Sequence, residues 1–228
     1  MKLRIGSLSL LTILCLTLTA YAGQTFYNDG GIDGNDNGFY ITGPGFPNPA
    51  GSFQDISNGF VSAASGTPTQ LEFGEWVLSG STPTSIGYEI GTTAFGTQLG
   101  SGTVAQNSTN SVLLFTNGFG YGIYDVTIPV TSLAMTAGNE YWVSLSNAAN
   151  TGGTQSGAWD LAGPSGGPAT CNFRQSGTNY GDCGTGGESF TLSNPGPPPP
   201  GTPEPSSILL FGSGILGLAG VLRRKLNR

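Results

Sequence analysis

Apolar side chains recur at every second position in several segments of this chain. Ile86, Tyr88 and Ile90 alternate with polar or small neighbours, and residues 124–130 and 141–145 show the same period. A period of two places one set of side chains on a single face of a β-strand. Clusters of Gly, Pro, Asn and Ser separate these segments at intervals of about 8 to 15 residues. No segment of useful length has the helical period, so the pattern predicts an all-β fold.

Other segments extend the same pattern to much of the chain. The further strand candidates are Leu71, Phe73 and Val77 with Trp76 and Leu78 on the opposite face, the continuous apolar run 112–115, and the closing pair Phe190 and Leu192. A domain of this size accommodates about eight to ten strands. We therefore expect one antiparallel β-sandwich over residues 23–193, and jelly-roll connectivity is the favoured arrangement.

The N-terminal segment has the three parts of a secretory signal peptide. Lys2 and Arg4 supply positive charge, residues 8–19 form an apolar run, and Ala20-Tyr21-Ala22 is a small-x-small cleavage site. The pattern predicts that residues 1–22 are removed on export. The alternative is an N-terminal membrane helix, although the run is short for one and the residues after Gly23 are polar.

The C-terminal segment is also built in parts. A Pro- and Gly-rich linker, residues 194–202, precedes Pro203-Glu204-Pro205. The uncharged run 206–222 is long enough for one short transmembrane helix. Arg223, Arg224 and Lys225 follow in the basic tail 223–228, and such residues are retained on the cytoplasmic side.

These parts, in this order at the C-terminus, resemble the PEP-CTERM sorting signal over about the last 26 residues of the chain. The resemblance implies recognition by an exosortase while the C-terminal helix holds the chain in the membrane. It also implies cleavage near Pro203-Glu204-Pro205 and delivery to the cell surface or exopolysaccharide matrix. A tail anchor that is never processed is the alternative. Residues 24–194 loosely resemble the ectodomains that often precede such tails, a group without an assigned activity.

Charge and residue usage exclude several functions. Arg174 is the only base between Gly23 and Thr202, against twelve acids, which gives this region a net charge near −11. Nucleic-acid binding needs Lys and Arg, so no nucleic-acid partner is expected. The chain has no histidine, which excludes Ser-His-Asp and Cys-His catalysis and zinc sites built on imidazole.

Cys171 and Cys183 are the two cysteines left after export, because Cys15 lies in the signal peptide. An even count in an exported chain predicts one disulfide, which would close a glycine-rich loop. Two free thiols are the alternative.

A calcium site is one candidate for chemistry. Residues 33–38 match the first half of an EF-hand loop, but Pro44 occupies the twelfth position, so a full EF-hand is excluded. Asp29, Asp33, Asn35 and Asn37 remain candidate calcium ligands. A tight turn explains the same residues, so no cofactor is required and calcium is an optional one.

Sugar contact is the second candidate. Trp142 and Trp159 are candidate glycan-stacking residues, although aromatic rings fill a core equally well. Glu72 and Glu75 lie three residues apart on one strand, so they point to opposite faces and do not form a hydrolase pair.

The sequence therefore predicts a non-enzymatic protein of the cell surface or extracellular matrix, structural or adhesive, which an exosortase sorts. The first alternative is a carbohydrate-binding module for exopolysaccharide, stabilised or not by calcium. The second alternative is a weak glycoside hydrolase.

Processing can be tested on protein recovered from its native cell surface. We expect intact mass and terminal peptides to show a start at Gly23 and an end near Pro203-Glu204-Pro205. Retention of residues 222–228 would instead identify an unprocessed tail anchor.

Overall fold

Two antiparallel β-sheets make up the described part of the chain. The computed structural model describes residues 23–34, 38–41, 54–152, 157–160, 170–183 and 187–196. One sheet has seven strands and the other has six. This confirms the all-β class and the antiparallel sheets that the period of two predicted.

The strands are numbered in chain order. The seven-stranded sheet contains β1 (Gln24–Asn28), β2 (Gly38–Tyr40), β4 (Gln70–Leu78), β7 (Ser111–Thr116), β8 (Tyr121–Pro129), β10 (Ala158–Asp160) and β13 (Phe190–Asn194). The six-stranded sheet contains β3 (Gln54–Val61), β5 (Pro83–Gly91), β6 (Gly100–Ala105), β9 (Glu140–Asn150), β11 (Thr170–Gln175) and β12 (Thr178–Asp182).

Strand β4 organises the seven-stranded sheet. It pairs with β8 along its whole length, and its other side is shared by β13 and β10. Strand β1 pairs with β13, and β2 pairs with β10. Strand β7 pairs with the side of β8 that faces away from β4. The six-stranded sheet has the order β12-β11-β3-β9-β5-β6. Thus β6, β7 and β12 each belong to a hairpin and lie at the edge of their sheet.

The core contains the alternating residues that the sequence predicted to share a face. Ile86, Ile90, Val126, Val143 and Leu145 each have no exposed surface, and all belong to one continuous apolar cluster. On β4, Leu71, Phe73 and Val77 join this cluster, whereas Trp76 packs with Ile123 and Ala158 in a smaller cluster. The alternation on β4 is therefore as predicted.

The predicted disulfide joins Cys171 and Cys183, whose Cα atoms lie 5.3 Å apart. The segment between them is a hairpin of β11 and β12 rather than the expected glycine-rich loop. Its two turn residues, Ser176 and Gly177, have φ values of 48° and 83°, as a type I′ turn requires. The bond therefore closes the open end of a hairpin at a sheet edge.

Among the described residues, two carboxyl groups lie inside the sandwich without a basic partner. Glu75 and Glu188 have no exposed surface. Gln106 Nε2 donates to Glu75 Oε2 at 2.5 Å. Burial raises the pKa of each glutamate to about 8, an effect that Gln106 opposes at Glu75 and Asn58 opposes at Glu188. Both side chains are therefore protonated in the folded domain at neutral pH.

Several sequence predictions fall on residues that lie outside the described ranges. They are the signal peptide 1–22, the linker beyond residue 196, the motif Pro203-Glu204-Pro205, the membrane segment 206–222 and the basic tail. Within the described residues, no helix has the length and apolarity needed to cross a membrane.

The buried glutamates predict that the domain is most stable in mild acid. Between pH 4.5 and 8 the folded domain holds protons that the unfolded chain has released, so stability falls as pH rises. The slope should be about 1.4 kcal/mol per pH unit for each group at most. Urea unfolding across this range measures it.

Glu75→Gln and Glu188→Gln should each flatten this slope, because glutamine does not titrate. Glu140→Gln removes one carboxylate from an exposed position and is the matched control. A free energy of unfolding that increases from pH 5 to pH 8 would contradict the protonated state of the two glutamates.

Candidate functional site

The outer face of the six-stranded sheet carries Trp142. Its neighbours on β9, Tyr141 and Val143, point into the core, so Trp142 points outward and is partly buried. It lies between Gly59 on β3 and Gly91 on β5. A Cβ at position 59 would come within 3.0 Å of Trp142 Cζ2. Glycine at 59 therefore lets the indole lie against the sheet.

Arg174 forms an ion-pair cluster on the same face. Its Nε donates to Asp55 Oδ2 at 2.8 Å, and a terminal nitrogen lies 2.7 Å from the same oxygen. The same terminal nitrogen lies 4.0 Å from Glu89 Oε2. The guanidinium carbon lies 4.6 Å from the centre of the Phe95 ring. One cation thus contacts two carboxylates and an aromatic ring.

Burial outweighs the guanidinium in its effect on the pKa of both acids. Desolvation raises the pKa of Asp55, although Arg174 lowers it. Desolvation also raises the pKa of Glu89, with Asp55 adding to the effect and Arg174 opposing it. Arg174 thus lowers the pKa of both acids, and the charge of Asp55 acts directly on Glu89 in the opposite direction.

A loop is held against this face by hydroxyl groups. The Phe95 backbone N–H donates to Ser57 Oγ at 3.3 Å, and Ser144 Oγ donates to the same oxygen at 2.8 Å. Phe95 has a φ of 57°, a strained conformation for a bulky residue. The hydrogen bond to Ser57 and the contact of the phenyl ring with Arg174 are made by Phe95 in this conformation. The result is a surface with two aromatic rings and a charged cluster.

Trp159 has a different environment from Trp142. It has no exposed surface, its indole N–H donates to the Ser189 carbonyl at 3.0 Å, and its ring packs against Phe73 and Phe190. The structure thus places Trp159 in the core, and its ring presents no face to a sugar. Of the two candidate glycan residues, only Trp142 lies at the surface.

The candidate calcium ligands that the structure describes occupy different surroundings. Burial is the main cause that raises the pKa of Tyr27 and of Glu188, and the charge of Asp29, itself buried, adds to the effect on both. Burial raises the pKa of Asp160, and the charge of Asp33 adds to this effect. Asn35 and Asn37 lie outside the described residues. Calcium binding stays a prediction.

A metal-ligand geometry occurs elsewhere in the described residues. The potential ligand atoms of Cys171, Cys183 and Glu188 lie within 4.8 Å of one another. Both sulfurs belong to the disulfide, so they are not thiolate ligands.

Glu72 and Glu75 lie on opposite faces of β4. Glu75 is in the interior, whereas Glu72 lines an outer cleft of about 230 Å³ together with Asp125 and Leu114. Burial raises the pKa of Glu72, and the charge of Asp125 adds to the effect. The two glutamates therefore do not converge on one bond.

Sequence reasoning missed Asp160, which organises the loop after β1. Its carboxylate accepts the Trp76 indole N–H at 2.5 Å and the backbone N–H groups of Asp33 and Gly34 at 3.1 and 3.4 Å. Asp160 has no exposed surface. Its three partners come from distant parts of the chain, and no short motif marks them.

Sequence comparison identifies the C-terminal segment. The family model of the PEP-CTERM protein-sorting motif matches residues 201–225. The chain therefore carries this sorting motif, which implies an exported protein that an exosortase processes at the membrane. The resemblance noted from the sequence is confirmed. No curated protein matches the sequence.

The ion-pair cluster can be tested by removing its cation. Arg174→Met leaves Asp55, which is 6% exposed, without its partner, and should lower the free energy of unfolding by about 2 kcal/mol. Asp55→Asn in the same protein should recover part of the loss. Urea unfolding at pH 7 measures both, and equal losses in single and double variants would contradict the role of charge.

Proposed function

We propose that this chain is a structural or adhesive protein of the cell surface or extracellular matrix, and that it acts by contact rather than catalysis. The observation that carries the proposal is the combination of a sorting motif with a compact β-sandwich. The motif supports export and processing by an exosortase. The apolar run 206–222 would hold the chain in the membrane until then.

The carboxylates beside Arg174, on the outer face of the six-stranded sheet, favour a non-catalytic role for that face. Glycoside hydrolysis needs two carboxyl groups on either side of one bond, with access for substrate between them. Asp55 and Glu89 instead share the guanidinium of Arg174, and Asp55 is 6% exposed. We expect no release of reducing sugar from the polysaccharide of the producing organism. Release that Glu89→Gln abolishes would support the hydrolase alternative.

A carbohydrate-binding role is the second candidate, and the position of Trp142 favours it. An indole that lies against a sheet, beside Thr170 and on the same face as a charged cluster, is suited to stacking on a sugar ring. The cleft beside Glu72 offers no comparable aromatic surface among its lining residues, apart from Phe73 and Phe190 of the core. The outer face of the six-stranded sheet is therefore the proposed glycan surface.

Affinity electrophoresis in the producer's own exopolysaccharide distinguishes the two candidates. If the glycan candidate holds, migration should be retarded, and Trp142→Ala should reduce the retardation constant at least about tenfold, a loss of about 1.4 kcal/mol. Phe119→Ala, which removes a ring 67% exposed in the turn between β7 and β8 of the other sheet, is the matched control. Runs with calcium and with a chelator test the optional ion. Absence of retardation for the unmodified protein would eliminate the glycan candidate.

A further inference from the structure

An apolar strip lies at the edge of the seven-stranded sheet. It consists of four consecutive residues of β7 and one residue of the turn that follows. The exposed fractions are Val112 53%, Leu113 52%, Leu114 46%, Phe115 40% and Phe119 67%. Consecutive exposed residues of this size are unusual on a soluble domain, since such patches commonly mark interaction sites.

The strip is exposed because β7 lies at the edge of the sheet. Within the described residues, β7 pairs with β8 alone. A bulge between Leu113 and Phe115 interrupts the alternation. Leu114 therefore lines the outer cleft with Asp125, and the Phe115 ring lies near Gly34 on the same side. The bulge thus places Leu114 and Phe115 on the outer face of the sheet, whereas Leu113 lies opposite Tyr124, whose side chain belongs to the core.

The strip contains no charged side chain that would prevent pairing with another strand. Exposed edges are commonly blunted by Lys, Pro or a bulge, and β7, with the sequence SVLLFT, has only the bulge. With ordinary side-chain areas, the exposed fractions amount to about 500 Å². Complete burial of two such strips would remove at most about 1,000 Å² from solvent, near the lower limit for a specific interface.

We propose that the apolar strip is a self-association surface, through which two copies of this chain pack β7 against β7. In an antiparallel arrangement about a two-fold axis, Val112 faces Phe115 and Leu113 faces Leu114 of the second copy. Apolar residues then meet apolar residues over positions 112–115, and the polar Ser111 lies opposite Thr116 at each end, in the self-complementary pattern that an isologous interface requires. The inference goes beyond the proposed function and does not depend on glycan binding.

Charge restricts where a second copy can dock. Residues 23–202 carry twelve acids and one base, so two copies repel each other over most of their surfaces. The uncharged strip is where this repulsion is weakest and apolar burial is greatest. A basic partner would gain more at the acidic surfaces than at β7. The sorting motif also brings copies to one membrane, which raises their local concentration.

Sedimentation velocity of the processed protein, recovered from its native cell surface, tests the proposal. Between about 1 and 200 µM the sedimentation coefficient should rise from that of a monomer to that of a dimer. Leu113→Lys with Leu114→Lys should weaken association at least tenfold, because the two copies then place cations against each other. Phe119→Lys, in the turn, is a second variant that leaves the strand unchanged.

Val61→Lys with Leu133→Lys adds the same charge at exposed apolar positions outside the strip, 57% and 63% exposed. This control should still dimerise, and circular dichroism should show all variants folded. Higher salt should strengthen association, because it screens repulsion between acidic copies. A monomer at every concentration, equal loss in control and strip variants, or weakening by salt would overturn the proposal.

Discussion

The scarcity of positive charge governs much of this structure. Between residues 23 and 202, Arg174 is the only side chain that can neutralise a carboxylate, and it is committed to Asp55 and Glu89. Other buried acids must be stabilised without an ion pair. Asp160 accepts three N–H groups, whereas Glu75 and Glu188 are buried deeply enough to retain their protons. Because Glu75 and Glu188 are protonated when buried and ionise when the chain unfolds, the stability of the domain depends on pH.

On the outer face of each sheet, a glycine makes room for a larger side chain from a neighbouring strand. Gly59 leaves room for the Trp142 indole on one sheet. On the other sheet, a Cβ at Gly74 would come within 2.6 Å of the Asp160 Cβ. Glycine at position 74 therefore lets Asp160 approach β4 and hold the loop that contains Asp33 and Gly34. The positions of Trp142 and Asp160 thus each depend on a glycine in the neighbouring strand.

The sorting motif and the edges of the two sheets are both features suited to an exported protein. The PEP-CTERM motif implies an exported protein, and exported domains depend on contacts that survive outside the cell. The disulfide between Cys171 and Cys183 closes a hairpin at one edge of the sandwich. The apolar strip on β7 lies at an edge of the other sheet. One edge is closed covalently, while the other offers apolar area to a second copy.

The sequence alone determined the all-β class, the faces of β4, the cysteine pairing and the sorting motif, because each depends on local period, spacing or count. The same alternation places Glu75 with Phe73 and Val77, yet a charged residue is rarely expected in a core. Only the tertiary structure decided that Trp159 is buried, that Arg174 binds Asp55, and that the run 112–115 is exposed. These outcomes depend on which strands become neighbours, and strand order arises from contacts between residues far apart in the chain.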